Sequence, residues 1–128
     1  MPLNENYLQH GYFDAGNNMY DSLLLEDAKR VAETLVRARM TTHQLRLFFN
    51  NCKSISRLLD DQDFESIKHN IYKLPSMAAN GKGRGNLPQA FVEFIEKNIN
   101  LISSEKDFRA FMEHFQAVVG YSRGLTNK

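Results

Sequence analysis

The chain has 128 residues, with sixteen Lys and Arg against fifteen Asp and Glu, a net charge of +1 and 42% hydrophobic residues. This length suits one domain around one core, and the even charge balance excludes a polycation that binds nucleic acid by bulk charge. The single cysteine, Cys52, excludes an intrachain disulfide and a cysteine-based zinc site, and no apolar run approaches the roughly 20 residues of a membrane span.

Residues 1–20 are polar, Asn-rich and aperiodic, with Gly11 and Gly16 interrupting any helix. They are expected to form a flexible arm, with residues 21–128 as a single domain. The first residues, Met1-Pro2-Leu3-Asn4-Glu5, lack the basic start and apolar stretch of a signal peptide, so a cytoplasmic location is expected. From Asp21 the pattern turns helical: Leu24, Ala28, Val31, Ala32, Leu35 and Val36 recur at three- and four-residue spacing, predicting a helix that ends near Met40.

Thr41 and Gln44 have capping-box spacing and open a second helix, whose apolar face is Leu45, Phe48, Phe49, Cys52, Ile55, Leu58 and Leu59. Asp60-Asp61-Gln62-Asp63 ends it and offers caps for a third helix carrying Phe64, Ile67, Ile71 and Leu74. Pro75 ends or kinks that helix, and Ser76 to Asn80 can continue it. Gly81-Lys82-Gly83-Arg84-Gly85-Asn86 reads as a flexible loop. Pro88 suits the first turn of a fourth helix, with Phe91, Phe94, Ile95, Ile99 and Ile102 on its apolar side. Ser104 and Asp107 approximate another capping box, and Phe108, Phe111, Met112, Phe115, Val118 and Val119 give a fifth helix its core face. Strand-type alternation is absent. The fold class is therefore all-α, a compact bundle of about five helices.

Chemistry is poorly provided for. His10, His43, His69 and His114 lie on different segments without metal-ligand spacing, so they read as surface histidines, and no metal or cofactor is expected. Cys52 shares helical spacing with Phe48, Phe49 and Ile55 and reads as a core residue rather than a nucleophile. The glycine loop has no preceding strand and no following Lys-Ser/Thr, so it is not a phosphate cradle. No enzymatic activity is expected.

The second helix carries a different signal. At about 100° per residue, Arg46, Lys53 and Arg57 fall within a sector of about 40°, well away from Phe48, Cys52, Ile55 and Leu59. The helix thus offers grease to a core and a cationic ridge to solvent, a row that can meet successive phosphates of a nucleic-acid strand. Lys82 and Arg84 add a second basic element, and Arg109 and Arg123, fourteen residues apart, share one side of the fifth helix. The alternative is an ordinary solvated face on a helical protein–protein adaptor with no nucleic-acid role. A helix-turn-helix DNA binder ranks below both, because no tight glycine turn precedes the second helix.

Three stretches resemble a known family. Met40-Thr41-Thr42-His43-Gln44-Leu45-Arg46 is similar to a Leu-Thr-Thr-x-x-Ile/Leu-Arg helix start. Lys73-Leu74-Pro75-Ser76-Met77-Ala78-Ala79-Asn80-Gly81-Lys82 is similar to a central Lys-Leu-x-x-Ala-x-x-x-Gly-Arg stretch. Phe115 to Arg123 is similar to a Glu-Ala-x-x-Ala-Tyr-His-Lys ending, with Gln116, Gly120 and Ser122 where that pattern has Glu, Ala and His. In this order they resemble the small helical subunit of type III-A CRISPR (Csm) effector complexes. The resemblance implies a non-catalytic subunit, stacked in several copies along the backbone subunits and holding guide and target RNA by sequence-independent backbone contacts. Its implied partners are those RNAs, the backbone and large subunits, and neighbouring copies of itself, with no membrane. The resemblance carries a contact role to Arg46, Lys73, Lys82 and Arg123. Lys53, Arg57, Arg84 and Arg109 rest on the surface reading alone.

Overall fold

Local start and stop signals fix most of the helices. In the computed structural model, which describes residues 3–126, they are α1 (Glu26–Arg37), α2 (Thr42–Arg57), α3 (Phe64–Tyr72), α4 (Leu74–Gly83), α5 (Gln89–Ile99) and α6 (Glu105–Thr126). Single 3-10 turns precede α1 and follow α2, and the described residues form no strand, only one isolated bridge between Phe13 and Met19. The all-α bundle follows the periodicity. The count of five holds when α3 and α4 are taken as one rod bent at Lys73, where Pro75 occupies the first turn of α4 and its missing N–H goes unnoticed.

α2 begins with the full capping box. The Thr41 hydroxyl accepts the Gln44 N–H at 3.0 Å, and the Gln44 side-chain oxygen accepts the Thr41 N–H at 2.9 Å, a device worth about 1 kcal/mol. Asp63 caps α3 by accepting the Ser66 N–H at 3.0 Å, and the Ser66 hydrogen bonds hold its carboxyl below the usual carboxylate range. α1 stops earlier than expected, at Arg37. Met40 N–H returns to Leu35 O and Arg39 N–H to Val36 O, a Schellman stop in which Arg39 takes φ 69°.

The first half of the expected glycine loop is helix. α4 runs through Gly83, and the same kind of stop follows: Asn86 N–H returns to Gly81 O, Gly85 N–H to Lys82 O, and Gly85 has φ 78°. Leu87 folds back onto Gly81, where a Cβ would stand 2.5 Å from the Leu87 Cδ1. Gly81 is glycine because Leu87 needs its space.

α6 is the spine, packed on α1 and α2, while α5 packs on α4 and α1. Phenylalanines fill the centre: Phe91, Phe94, Phe108, Phe111 and Phe115 are fully buried. Edge-to-face pairs join Phe48 to Phe91 at 4.9 Å, Phe49 to Phe115 at 5.1 Å and Phe94 to Phe115 at 5.2 Å, each worth about 0.5–1.5 kcal/mol beyond area burial. Cys52 is buried among these apolar side chains, and burial pushes its thiol up to about 12, so no thiolate forms at neutral pH.

Composition gives residues 1–20 an expectation of flexibility, yet residues 3–20 lie on the bundle. Leu3 and Tyr12 are buried in the same core as the helices. Phe13 sits under the Lys106 ammonium, 4.3 Å from the ring centre, and that ammonium donates to Asn17 O at 2.9 Å. A polar chain completes the docking. Tyr12 donates its hydroxyl to Asn98 Oδ1 at 2.7 Å, and the Asn98 amide donates to Phe94 O at 2.8 Å and to the Tyr7 oxygen at 3.0 Å.

Tyr7 in turn lies 2.5 Å from His114 Nε2, and His114 Nδ1 lies 2.6 Å from Leu23 O. A carbonyl can only accept, so Nδ1 carries a proton, and desolvation keeps a second one off Nε2, which then accepts from Tyr7. His114 is therefore a neutral interior residue, which corrects its reading as a surface histidine; His10, His43 and His69 are exposed. Desolvation lowers the His114 pKa against the raising effects of Leu23 O and Asp27, and burial pushes both phenols up.

Candidate nucleic-acid interface

Because α2 turns Leu45, Phe48, Phe49 and Cys52 inward, its opposite side is left to solvent. Arg46, Lys53 and Arg57 are all exposed there. The Lys53 ammonium leans over the Phe49 ring at 5.9 Å, near the outer limit of a cation–π contact. Among the described residues only two ion pairs form, Lys68–Glu65 and Arg109–Glu105, so the ridge cations are without carboxylate partners.

The remaining candidates fall into two groups. Thr42 and Thr126 hydroxyls meet at 3.0 Å and Phe49 meets Phe115, so α2 and α6 run antiparallel. Arg123, one turn before Thr126, and Arg46, one turn after Thr42, therefore sit at the same end of that helix pair. The Gln44 amide donates to Asn86 O at 2.6 Å, which ties the α4 stop, with Lys82 and Arg84 exposed on it, to the start of α2. Arg46, Lys82, Arg84 and Arg123 thus gather around one end of α2, and Lys53 and Arg57 extend the row along it. Lys73 is exposed at the α3–α4 junction. Arg109 is placed differently: its guanidinium is held 2.8 Å from Glu105, one turn back on α6. Ser122, one of the departures from the family pattern, is fully buried, whereas Gln116 and Gly120 are exposed.

A signal in the sequence strengthens this face. No Asp or Glu occurs between Glu33 and Asp60, nor between Glu65 and Glu93. All of α2 and α4 lies in these two acid-free stretches, which carry Arg37, Arg39, Arg46, Lys53, Arg57, Lys68, Lys73, Lys82 and Arg84. The even overall balance thus conceals a segregation: the acids sit on the other segments. Arg37 and Arg39, exposed just before α2, belong to the same acid-free stretch and escape notice when cations are sought only at helical spacing. The α2 N-terminus adds its own partial positive charge, with no acid in its first turn to offset it.

No helix of the described residues is long and apolar enough to cross a membrane, and no group of three or more His, Cys, Asp or Glu among them is arranged to hold a metal.

No curated protein and no solved structure gives a significant match to the chain. The sequence model for Csm2 Type III-A matches residues 19–128, which takes in every helix and every lysine and arginine discussed above. The chain therefore belongs to the Csm2 Type III-A family, the small subunits of type III-A CRISPR effector complexes.

Proposed function

We propose that this subunit holds RNA in the effector complex through its phosphate backbone, without catalysis and without reading sequence. The observation that carries this reading is the acid-free α2, whose Arg46, Lys53 and Arg57 share one solvent-facing side with no carboxylate partner among the described residues. Lys73, Lys82, Arg84 and Arg123 add contacts at its margins, while Arg109, already engaged by Glu105, contributes least. Several copies stack along the backbone subunits beside the large subunit, so that short cationic rows join into a longer track for the guide–target RNA. The complex works in the cytoplasm.

The test is salt-dependent RNA binding by the purified protein. Three phosphate contacts on a single strand give a log–log salt slope of about 2, at about 0.7 per contact. Replacing Arg46, Lys53 and Arg57 together with Ala should remove that share of the slope and leave helicity unchanged. Equal slopes for the triple variant and the parent would sink the ridge.

A further inference from the structure

Beside the ridge, α2 and α4 are separated by a groove of about 440 Å³, within the range of small-ligand pockets. Its walls are Leu47, Phe48, Met77 and Leu87, and its polar lining includes Asn51, Asn80 and Arg84. One feature is out of keeping with a solvated surface. Leu47 is 55% exposed and Met77 42% exposed, facing the same depression. The side-chain amides of Asn51 and Asn80 make no hydrogen bond within the described residues, whereas the Gln44 amide is spent on closing the groove end at Asn86.

We infer that this groove receives a nucleobase splayed out from a single RNA strand whose backbone follows the cations of α2 and α4. The inference rests on the RNA reading above and adds to it a base site. Apolar walls take the faces of a heterocycle. A carboxamide offers both donors and an acceptor to a base edge, and unstacked bases of single strands are the ones open to such contacts. Charge selects this occupant over an apolar peptide: both helices that form the groove lack any Asp or Glu, and Arg84 stands in the lining where the phosphate of the same nucleotide would lie. Phe48 is the one ring among the walls and is largely buried, so the exposed wall surface is mostly aliphatic and the site discriminates single strand from duplex more than one base from another.

The experiment compares the parent with the double variant Asn51→Ala/Asn80→Ala and with Leu47→Ala. Each is titrated with single-stranded oligoadenylate and with an A-form RNA duplex of equal length, across a range of salt. Loss of two modest hydrogen bonds should weaken single-strand binding by about tenfold, with the salt slope and the duplex affinity unchanged. A variant that merely disturbs the fold would lose both RNAs together, and that result overturns the inference. Full single-strand affinity in both variants, with the steep salt dependence retained, overturns the base site and leaves the backbone contacts standing. Unchanged RNA affinity together with failed assembly into the effector complex assigns the groove to a protein partner, and likewise overturns it. Absence of salt-dependent RNA binding by the parent removes the backbone reading and this one with it.

Discussion

The two ends of the polar inventory behave in opposite ways. On the side where residues 3–20 dock, polar groups are matched to one another: Tyr12, Asn98, Tyr7, His114 and Leu23 O form a continuous chain with a defined proton direction. On the α2–α4 side, the side chains of Arg46, Lys53, Arg57, Lys82, Arg84, Asn51 and Asn80 have no hydrogen-bond or ion-pair partner among the described residues, and two large apolar side chains stand in solvent. Buried polar groups must be satisfied or they cost stability, whereas exposed ones can wait for a ligand. The contrast marks the first region as built for folding and leaves the second open for the RNA contacts proposed above.

The sharpest way to break the contrast is to remove the hub of the matched side. Asn98→Leu leaves the Tyr12 hydroxyl without its 2.7 Å acceptor and takes one donor from Tyr7. It should cost about 3 kcal/mol in urea unfolding while RNA affinity of the folded protein stays put. Acid probes the same side. The folded pKa of His114 is lowered by desolvation, so the fold selects the neutral ring and the unfolded chain takes up the proton first. Stability is then complete above the ordinary histidine value of about 6.5 and declines as pH falls below it. The urea midpoint should drop on acidification through that window, and His114→Gln, which cannot charge, should flatten the drop.

Smaller effects belong to the open side. Gly81→Ala gains about 1 kcal/mol of helix propensity but drives a Cβ into Leu87. A net loss of about 1 kcal/mol is expected in thermal unfolding, with Leu87 displaced into the groove. The least is Arg39→Gly. It relieves a non-glycine residue at φ 69° and should raise stability by about 0.5–1 kcal/mol, readable as a small rise in the urea midpoint.

What the sequence revealed was local. The Thr41–Gln44 box and the inward face of α2 were legible, because capping and helical periodicity act over three or four residues. The Asp63 cap was likewise within reach of the chain around it. The docking of residues 3–20 was not, because its hydrogen bonds join residues 86 to 107 positions apart and leave no repeat to detect. His114 illustrates the gap: it occupies a core-facing position on α6, but a histidine is ordinarily assigned to the surface unless its partners are known. The stop at Arg39 was hidden because arginine stands where glycine usually announces such a turn. On the candidate interface, the ridge could be read from spacing, while the gathering of Arg123 and Arg84 toward the start of α2 required the antiparallel packing of α2 on α6 and the Gln44–Asn86 hydrogen bond. The missing acids of α2 and α4 were visible in the sequence, but only when absences were counted along with charges.

The docked front segment has a consequence for relatives of this chain. The family match begins at residue 19, so Leu3, Tyr7 and Tyr12 are contributed from outside the shared region, although Asn98 and His114 lie within it. A cousin whose front end differs would inherit two thirsty interior side chains with nobody to answer them. Such a cousin should carry oily residues at the positions of Asn98 and His114, or bring its own hydroxyls from another direction.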